Sequence, residues 1–339
     1  MSEMSLKERM IAAVKHQPVD RLPTQINYTE DMGEIMAAYF GVLVDELPIV
    51  LGNHMIRVDI NDRKSFSEDG KYKFDWWGVG FDTKEEGYFA AVNPLAGVTD
   101  LDSYAWPDVD DPDLLSNAEA AIKKYGDTHF ITPNFGFVLF ERAWTMRGFE
   151  QFFMDMSLDP DYTNALLDRI TELQLKLIHR FLDLGVHGGY FGDDYGAQKN
   201  LLFSPKMWRK YIKPRLARLF EPFIERDMPI LMHSDGQIQK ILPDLVEIGL
   251  TTLNPVQPEV LDHDWLYSEF KGKLAFYGGI STQTVLPNGT PDEVKVATRQ
   301  CIDVLAPEKT GLVIAPSHRM MSDIPIENVA AMLDVFKTL

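Results

Sequence analysis

The chain of 339 residues contains a single cysteine, Cys301, so no internal disulfide can form. A chain of this length can bury a large core without such a staple. Basic residues are scarce: 33 Lys and Arg stand against 51 Asp and Glu, for a net charge of −18. A surface of that sign repels phosphate backbones and anionic lipid, which argues against nucleic acid and membrane as partners. No apolar run approaches the roughly 18 residues of a membrane span. The opening MSEMSLKERM is charged and has no apolar stretch of a secretory leader, so the expectation is a soluble, cytoplasmic protein. Neither GxGxxG after the first strand nor a Walker loop is present, which weakens a nucleotide-binding reading. What remains is an ordinary globular balance, 45% hydrophobic and 25% charged.

Alternation of short apolar runs with helical patterns organises the chain. Ser5-Leu6-Lys7-Glu8 has capping-box spacing and opens a helix to about His16. Candidate strands are LPTQI (22–26), a stretch near 55–60, HFITP, GGYFG (188–192), PILM (229–232), TTLNPV (251–256), LAFYGGI (274–280) and GLVIAPS (311–317). Helical stretches fall between them, including 138–156, 160–184, 204–225, 291–305 and 325–339. The strands lack period-two polarity, so they are buried on both faces, as in a parallel sheet. About eight such units favour one α/β domain over 1–339, a (β/α)₈ TIM barrel. The aromatic, Gly-punctuated segment at about 70–98 suggests a β-hairpin-type insertion near the N-terminus. Self-association into a homo-oligomer is compatible with this sequence.

Reactive residues cluster just past the ends of the candidate strands: Asp193 and Asp194, His233-Ser234-Asp235, Asn254 and Gln257, Ser281 and Gln283, His318 and Arg319. In a parallel barrel those ends share one face. His233, Asp235 and His318 make a two-imidazole, one-carboxylate set that suits a divalent ion such as Zn(II) with an open position. The alternative is that the histidines only form hydrogen bonds in the site. Of Asp193 and Asp194, adjacent in a strand, one is expected to face the site and the other to point away. Arg142 and Arg147 fit recognition of a substrate anion, or equally an ion-paired helix face with Glu141 or Glu150. Asn27, Tyr28 and His54 are read as following the first two strands and lining the mouth, although loop polarity explains them equally. Trp77, beside Trp76, either walls an aromatic pocket or packs an insertion on the rim. His16, His179, His187, His263 and Cys301 read as structural.

HSDGQIQKILPDLVEIGLTTLNPVQ (233–257), FYGGISTQTVLPNGTPDEV (276–294) and IAPSHRMMSDIPIENV (314–329) resemble the uroporphyrinogen decarboxylase superfamily. That resemblance implies a (β/α)₈ barrel and two branches of activity, porphyrinogen decarboxylation and corrinoid-linked methyl transfer. The decarboxylases carry a paired-arginine signature resembling RQAGR after the first strand, where this chain has TQINYTEDMGE (24–34). The thiol-activating zinc methyltransferases look like His-x-Cys with a later Cys; here His233 matches, Asp235 replaces the first Cys and His318 the second. YKFDWWGVGFDT, LFERAWTMRGFE and YFGDDYGAQ are similar to the methyltransferases of anaerobic O-demethylation. The implied reaction moves a methyl group from a methoxylated aromatic to Co(I) of a corrinoid carried by a partner protein. It gives His233, Asp235 and His318 to the metal or the proton, Asp193 or Asp194 to assistance, and Tyr28, Trp77 and Arg142 to the ring and any ring carboxylate. A porphyrinogen-type decarboxylase and a non-catalytic tetrapyrrole- or corrinoid-binding barrel are the alternatives.

Overall fold

The computed structural model describes residues 3–62, 65–84 and 90–339. In chain order the strands are β1 (Met55–Val58), β2 (Ser65–Phe66), β3 (Tyr72–Phe74), β4 (Gly80–Asp82), β5 (Ala90–Val92), β6 (Phe130–Phe135), β7 (Gly189–Gly192), β8 (Ile230–His233), β9 (Thr252–Asn254), β10 (Ala275–Ile280) and β11 (Leu312–Pro316). Seven of them form a parallel sheet in the order β1-β6-β7-β8-β9-β10-β11. Segment 22–26 is too irregular to count as a strand, yet Thr24 bridges in parallel to both Asn53 and Ile314. Backbone bonds from Gln25 to Ile314 (3.1 Å), Ile314 to Pro23 (2.9 Å) and His54 to Thr24 (3.1 Å) join both sheet edges to this segment. It therefore occupies the eighth place, and the C-terminal strand ends gather on one face.

The strands form where apolar residues are buried on both sides: β10 and β11 are buried throughout. Their inward side chains, among them Met55, Phe130, Tyr190, Leu231, Tyr277 and Val313, form an interior core capped by Met10 and Val14. Those two lie on helix Leu6–Val14, whose Ser5–Glu8 capping box is complete. That helix seals the N-terminal end of the barrel.

His54 belongs to this sealed end, which corrects its assignment to the mouth: it precedes β1 rather than following it. It is fully buried. Arg9, paired with Asp20 at 2.6 Å, sends Nη1 to within 3.1 Å of His54 Nε2. Guanidinium can only donate, so Nε2 accepts and the imidazole is neutral. Burial first, and Arg9 and Arg21 next, lower its pKa from 6.5 to about 4. The unfolded chain therefore binds the proton first, and stability falls as pH drops from 6.5 toward 4, by up to roughly 3 kcal/mol. Urea midpoints across that window should show the loss, and His54→Gln should flatten it.

Two long helical patterns are interrupted. The stretch 138–156 is two helices, Phe140–Arg147 and Phe149–Leu158, because Gly148 adopts φ 97°, open to glycine alone among common residues. Likewise 204–225 divides into Pro205–Tyr211 and Lys213–Ile224. Between β1 and β6 lies a second sheet, antiparallel, in the order β2-β3-β4-β5. It has four short strands among the described residues, where the sequence suggests a hairpin; residues 85–89 lie outside the described residues. Asp75 anchors its tight turn, accepting from Trp77 N and Val79 N at 2.9 Å each. No helix among the described residues is long and apolar enough to cross a membrane.

Candidate functional site

His233 is the last residue of β8, in register with Gly192 on one side and Asn254 on the other. Its Nδ1 lies 2.7 Å from Asn254 Oδ1, which also accepts from the Tyr190 hydroxyl at 2.8 Å. The Asn254 amide cannot be reversed, because its Nδ2 donates to the Tyr277 carbonyl at 2.9 Å. An oxygen at Oδ1 requires the proton of His233 on Nδ1. Nε2 is then left with a free lone pair aimed at the mouth, the arrangement that prepares a histidine to ligate.

Around that lone pair stand Asp235, Asp194 and His318. His233 Nε2 is 3.6 Å from Asp235 Oδ1 and 3.8 Å from Asp194 Oδ1, and His318 Nε2 is 3.6 Å from Asp235 Oδ2. The imidazole centroids are 5.8 Å apart. The side chains are 21 to 48% exposed, so the cluster opens to solvent at the barrel mouth. Packing lowers the His318 pKa despite the opposing pull of Asp235. The loops that carry these groups fit only because Gly236, at φ 81°, meets Gly196: a Cβ there would lie 2.5 Å from the Gly196 backbone. Asp235 N donates to Asp194 Oδ1 at 2.8 Å and locks the two loops together.

A metal ion fits this donor set. One ligand atom from each of His233, Asp235 and His318 lies within 4.8 Å of the others. Asp235 Oδ1 is buried and has no hydrogen-bond partner, a cost that a cation would remove. Zinc bonds of about 2.0–2.1 Å place tetrahedral ligands about 3.4 Å apart, so the three donors, within 4.8 Å of one another, would draw together around the ion.

Of the adjacent aspartates, Asp194 faces the cluster and Asp193 points into the protein. Asp193 is fully buried and accepts from Phe140 N (2.8 Å), Glu141 N (2.7 Å) and the Tyr195 hydroxyl (2.9 Å). It caps helix Phe140–Arg147 from a distant strand, since Leu139 offers no side-chain cap. Burial, then Asp194 and Asp193, raise the Glu141 pKa and disfavour its charged form. Its Oε2 accepts from Asp194 N at 3.0 Å and steadies the mouth-facing residue. Burial also raises the Asp194 pKa; Asp235 adds to it, while His233 and His318 oppose it.

The remaining candidates separate by position. Asn27 reaches the interior, donating to the Tyr277 hydroxyl at 2.8 Å. Tyr28 is half-buried and bridges to Met320, beside the His318 loop. Arg142 pairs with Asp75 at 2.6 Å and lies 5.1 Å from the Trp77 ring centroid, and Trp77 is buried beneath it. These two tie the small sheet to helix Phe140–Arg147. Arg147 binds Asp155 at 2.7 Å and the carbonyls of Leu95 and Val98, away from the cluster. Neither arginine uses Glu141 or Glu150. Sequence reasoning passed over Tyr190, Tyr277, Glu141 and Arg57. Arg57 lies mid-strand in β1 with its Cζ 4.6 Å from the Tyr190 ring centroid. A cation inside an apolar strand, two residues from inward Met55, was the available signal.

The chain is 24% identical over 98% of its length, and 98% of the other, to "Methylcobamide:CoM methyltransferase MtaA" of Methanosarcina barkeri. It is 24% identical over 217 residues to "Methylated-thiol--coenzyme M methyltransferase" of Methanosarcina mazei, covering 62% of this chain and 56% of that one. A solved methyltransferase from Methanosarcina mazei superposes with a TM-score of 0.73 at 20% identity over 99% of both chains. Residues 82–339 match the uroporphyrinogen decarboxylase (URO-D) family, which spans both the cluster and the strands that carry it, and the chain belongs to that family.

Proposed function

We propose that the chain is a corrinoid-dependent methyltransferase that moves a methyl group from a methoxylated aromatic to Co(I) of a partner corrinoid protein. One observation carries this reading: His233, Asp235 and His318 converge at the mouth as a nitrogen and oxygen donor set without sulfur. The relatives' names describe methyl transfer involving cobamides and the thiol of coenzyme M. Thiolate-rich zinc sites donate strongly and suit activation of a thiol nucleophile. Imidazole and carboxylate donate less and suit an oxygen leaving group.

In the reaction the methyl carbon–oxygen bond breaks with its electron pair on oxygen, and the electron pair of Co(I) forms the new bond to carbon. His233, Asp235 and His318 would hold zinc, which would supply Lewis acidity for that oxygen. Phenolate departs poorly without a proton or a cation. Asp194, held beside the cluster by Glu141 and the Asp235 amide, is placed to deliver the proton to the ether oxygen. Asn254 keeps the His233 proton on Nδ1, away from the reacting side. The partner docks at the open C-terminal face.

The decarboxylase alternative requires cations for a polyanionic tetrapyrrole. Segment 24–34 contains none. Gln25 accepts from Met55 N and Asn27 binds Tyr277 there instead. Mixing the protein with reduced corrinoid protein and methoxyarenes should convert the Co(I) absorption to that of methyl-cobalt, with one phenol released per methyl. An unchanged spectrum together with carbon dioxide release from a porphyrinogen, or methylation of thiols alone, overturns the reading.

A further inference from the structure

We propose that Arg57 anchors a carboxylate on the substrate, so that the methyl donor is an aromatic acid seated with its acid group deep in the barrel. This rests on the function proposed above and names its substrate class.

Arg57 sits in β1 opposite Thr132 of β6, and its guanidinium lies against Tyr190, a member of the interior core. Arg57 is nevertheless not fully buried. Among the described residues no carboxylate comes within ion-pair distance of it. Arg142 and Arg147, by contrast, are bound to Asp75 and Asp155. The nearest carboxylate influence is Asp59, whose Oδ1 already accepts from Asn134 at 2.7 Å. The ring face and hydroxyl of Tyr190 support this charge, but no carboxylate neutralises it, and a bound anion would.

The neighbours define what that anion is attached to. Tyr190 and Tyr277, buried with ring centroids 6.4 Å apart, make the surroundings of the guanidinium aromatic. The Tyr190 hydroxyl leads through Asn254 to His233, so the cation and the reactive cluster share one wall of the lumen. A flat ring with an acid at one end and a methoxy group at the other can contact both. The planar fork of a guanidinium matches a carboxylate in two hydrogen bonds. A chain of net charge −18 repels anions at long range, so recognition of an acid needs such a local cation.

Calorimetric binding of benzoate and 4-methoxybenzoate to the whole protein tests this without any turnover. Both should bind wild type, methoxybenzene at least about tenfold more weakly. Arg57→Gln should weaken the acids about 30-fold and leave methoxybenzene unchanged, and Arg57→Lys should restore part of the loss. Removing an unpaired cation should hold or raise the melting temperature. Acid binding equal in wild type and Arg57→Gln overturns the proposal, as does a lowered melting temperature with unchanged affinity, which marks a packing role. Competition by inorganic sulfate at the same concentration as benzoate also overturns it, because the site then takes any free oxyanion. If benzoate binds through Arg57 but no methyl reaches cobalt, the anchor stands and the reaction proposed above fails. If Arg57→Gln methylates cobalt from acidic donors as well as wild type does and keeps the same preference for them over neutral donors, the anchor alone fails.

Discussion

Asp235→Ala is expected to lower methyl transfer about 1,000-fold and to abolish stoichiometric zinc binding, while the melting temperature stays nearly constant. The three effects have one cause. Asp235 lies between the two imidazoles, Oδ1 3.6 Å from His233 Nε2 and Oδ2 3.6 Å from His318 Nε2, so its loss removes the central ligand. A lost Lewis acid is worth several kcal/mol at the transition state, and about 4 kcal/mol corresponds to the stated factor. Stability changes little because Asp235 Oδ1 has no hydrogen-bond partner and the carboxylate meets the two imidazoles only at 3.6 Å in a partly exposed place. The loop is held by the Asp235 backbone amide, which alanine keeps. Asp235→Cys should retain zinc, since thiolate is a strong ligand, yet remain slow on ethers because the metal is less electrophilic. Metal analysis beside single-turnover kinetics checks both variants. Active wild-type protein that holds no metal and tolerates chelators would falsify the ligand assignment and leave these groups as acids and hydrogen-bond donors.

The strands that carry this cluster were legible because each is a short apolar run buried on both faces, ending in a polar residue at the mouth. His233 after ILM and Ser317-His318 after LVIAP are examples. The Ser5–Glu8 box was legible because a cap is a local interaction. What was not legible depends on contacts remote in sequence. Nothing near Asp193 marks it as the cap of a helix more than fifty residues upstream. Gly148 sits inside an uninterrupted helical pattern, and only its positive φ ends the helix. Asn254 closes TTLNPVQ, but that its oxygen sets the tautomer of His233 follows from the β8–β9 register. The small antiparallel sheet escaped because its strands are two or three residues long, too short for a period to show.

Asp193→Ala is expected to destabilise the protein by about 3–5 kcal/mol, the largest loss from any single site considered. The mutation leaves Phe140 N, Glu141 N and the Tyr195 hydroxyl without an acceptor in a fully buried place. The first two are orphan amides of a helix N-terminus, where negative charge is also favoured by the dipole. Asp193→Asn keeps the shape but turns an amide donor toward other donors, so it should cost about half as much. Glu141 provides the contrast. Because burial favours its uncharged form, Glu141→Gln preserves size and hydrogen-bonding pattern and should cost less than about 1 kcal/mol near neutral pH. The pH dependence separates the two further. The folded-state pKa of Glu141 is raised above 4.5, so the native state holds the extra proton. The Glu141 contribution to stability should be fullest below 4.5 and decline as pH rises toward the folded value, and Glu141→Gln should remove that part of the decline while Asp193, raised by burial to about 7, keeps its own. Urea unfolding of the three variants between pH 5 and 9 measures all of this. A mild Asp193→Ala would mean that the helix start finds another acceptor, and Asp194 would then owe its position to Glu141 alone.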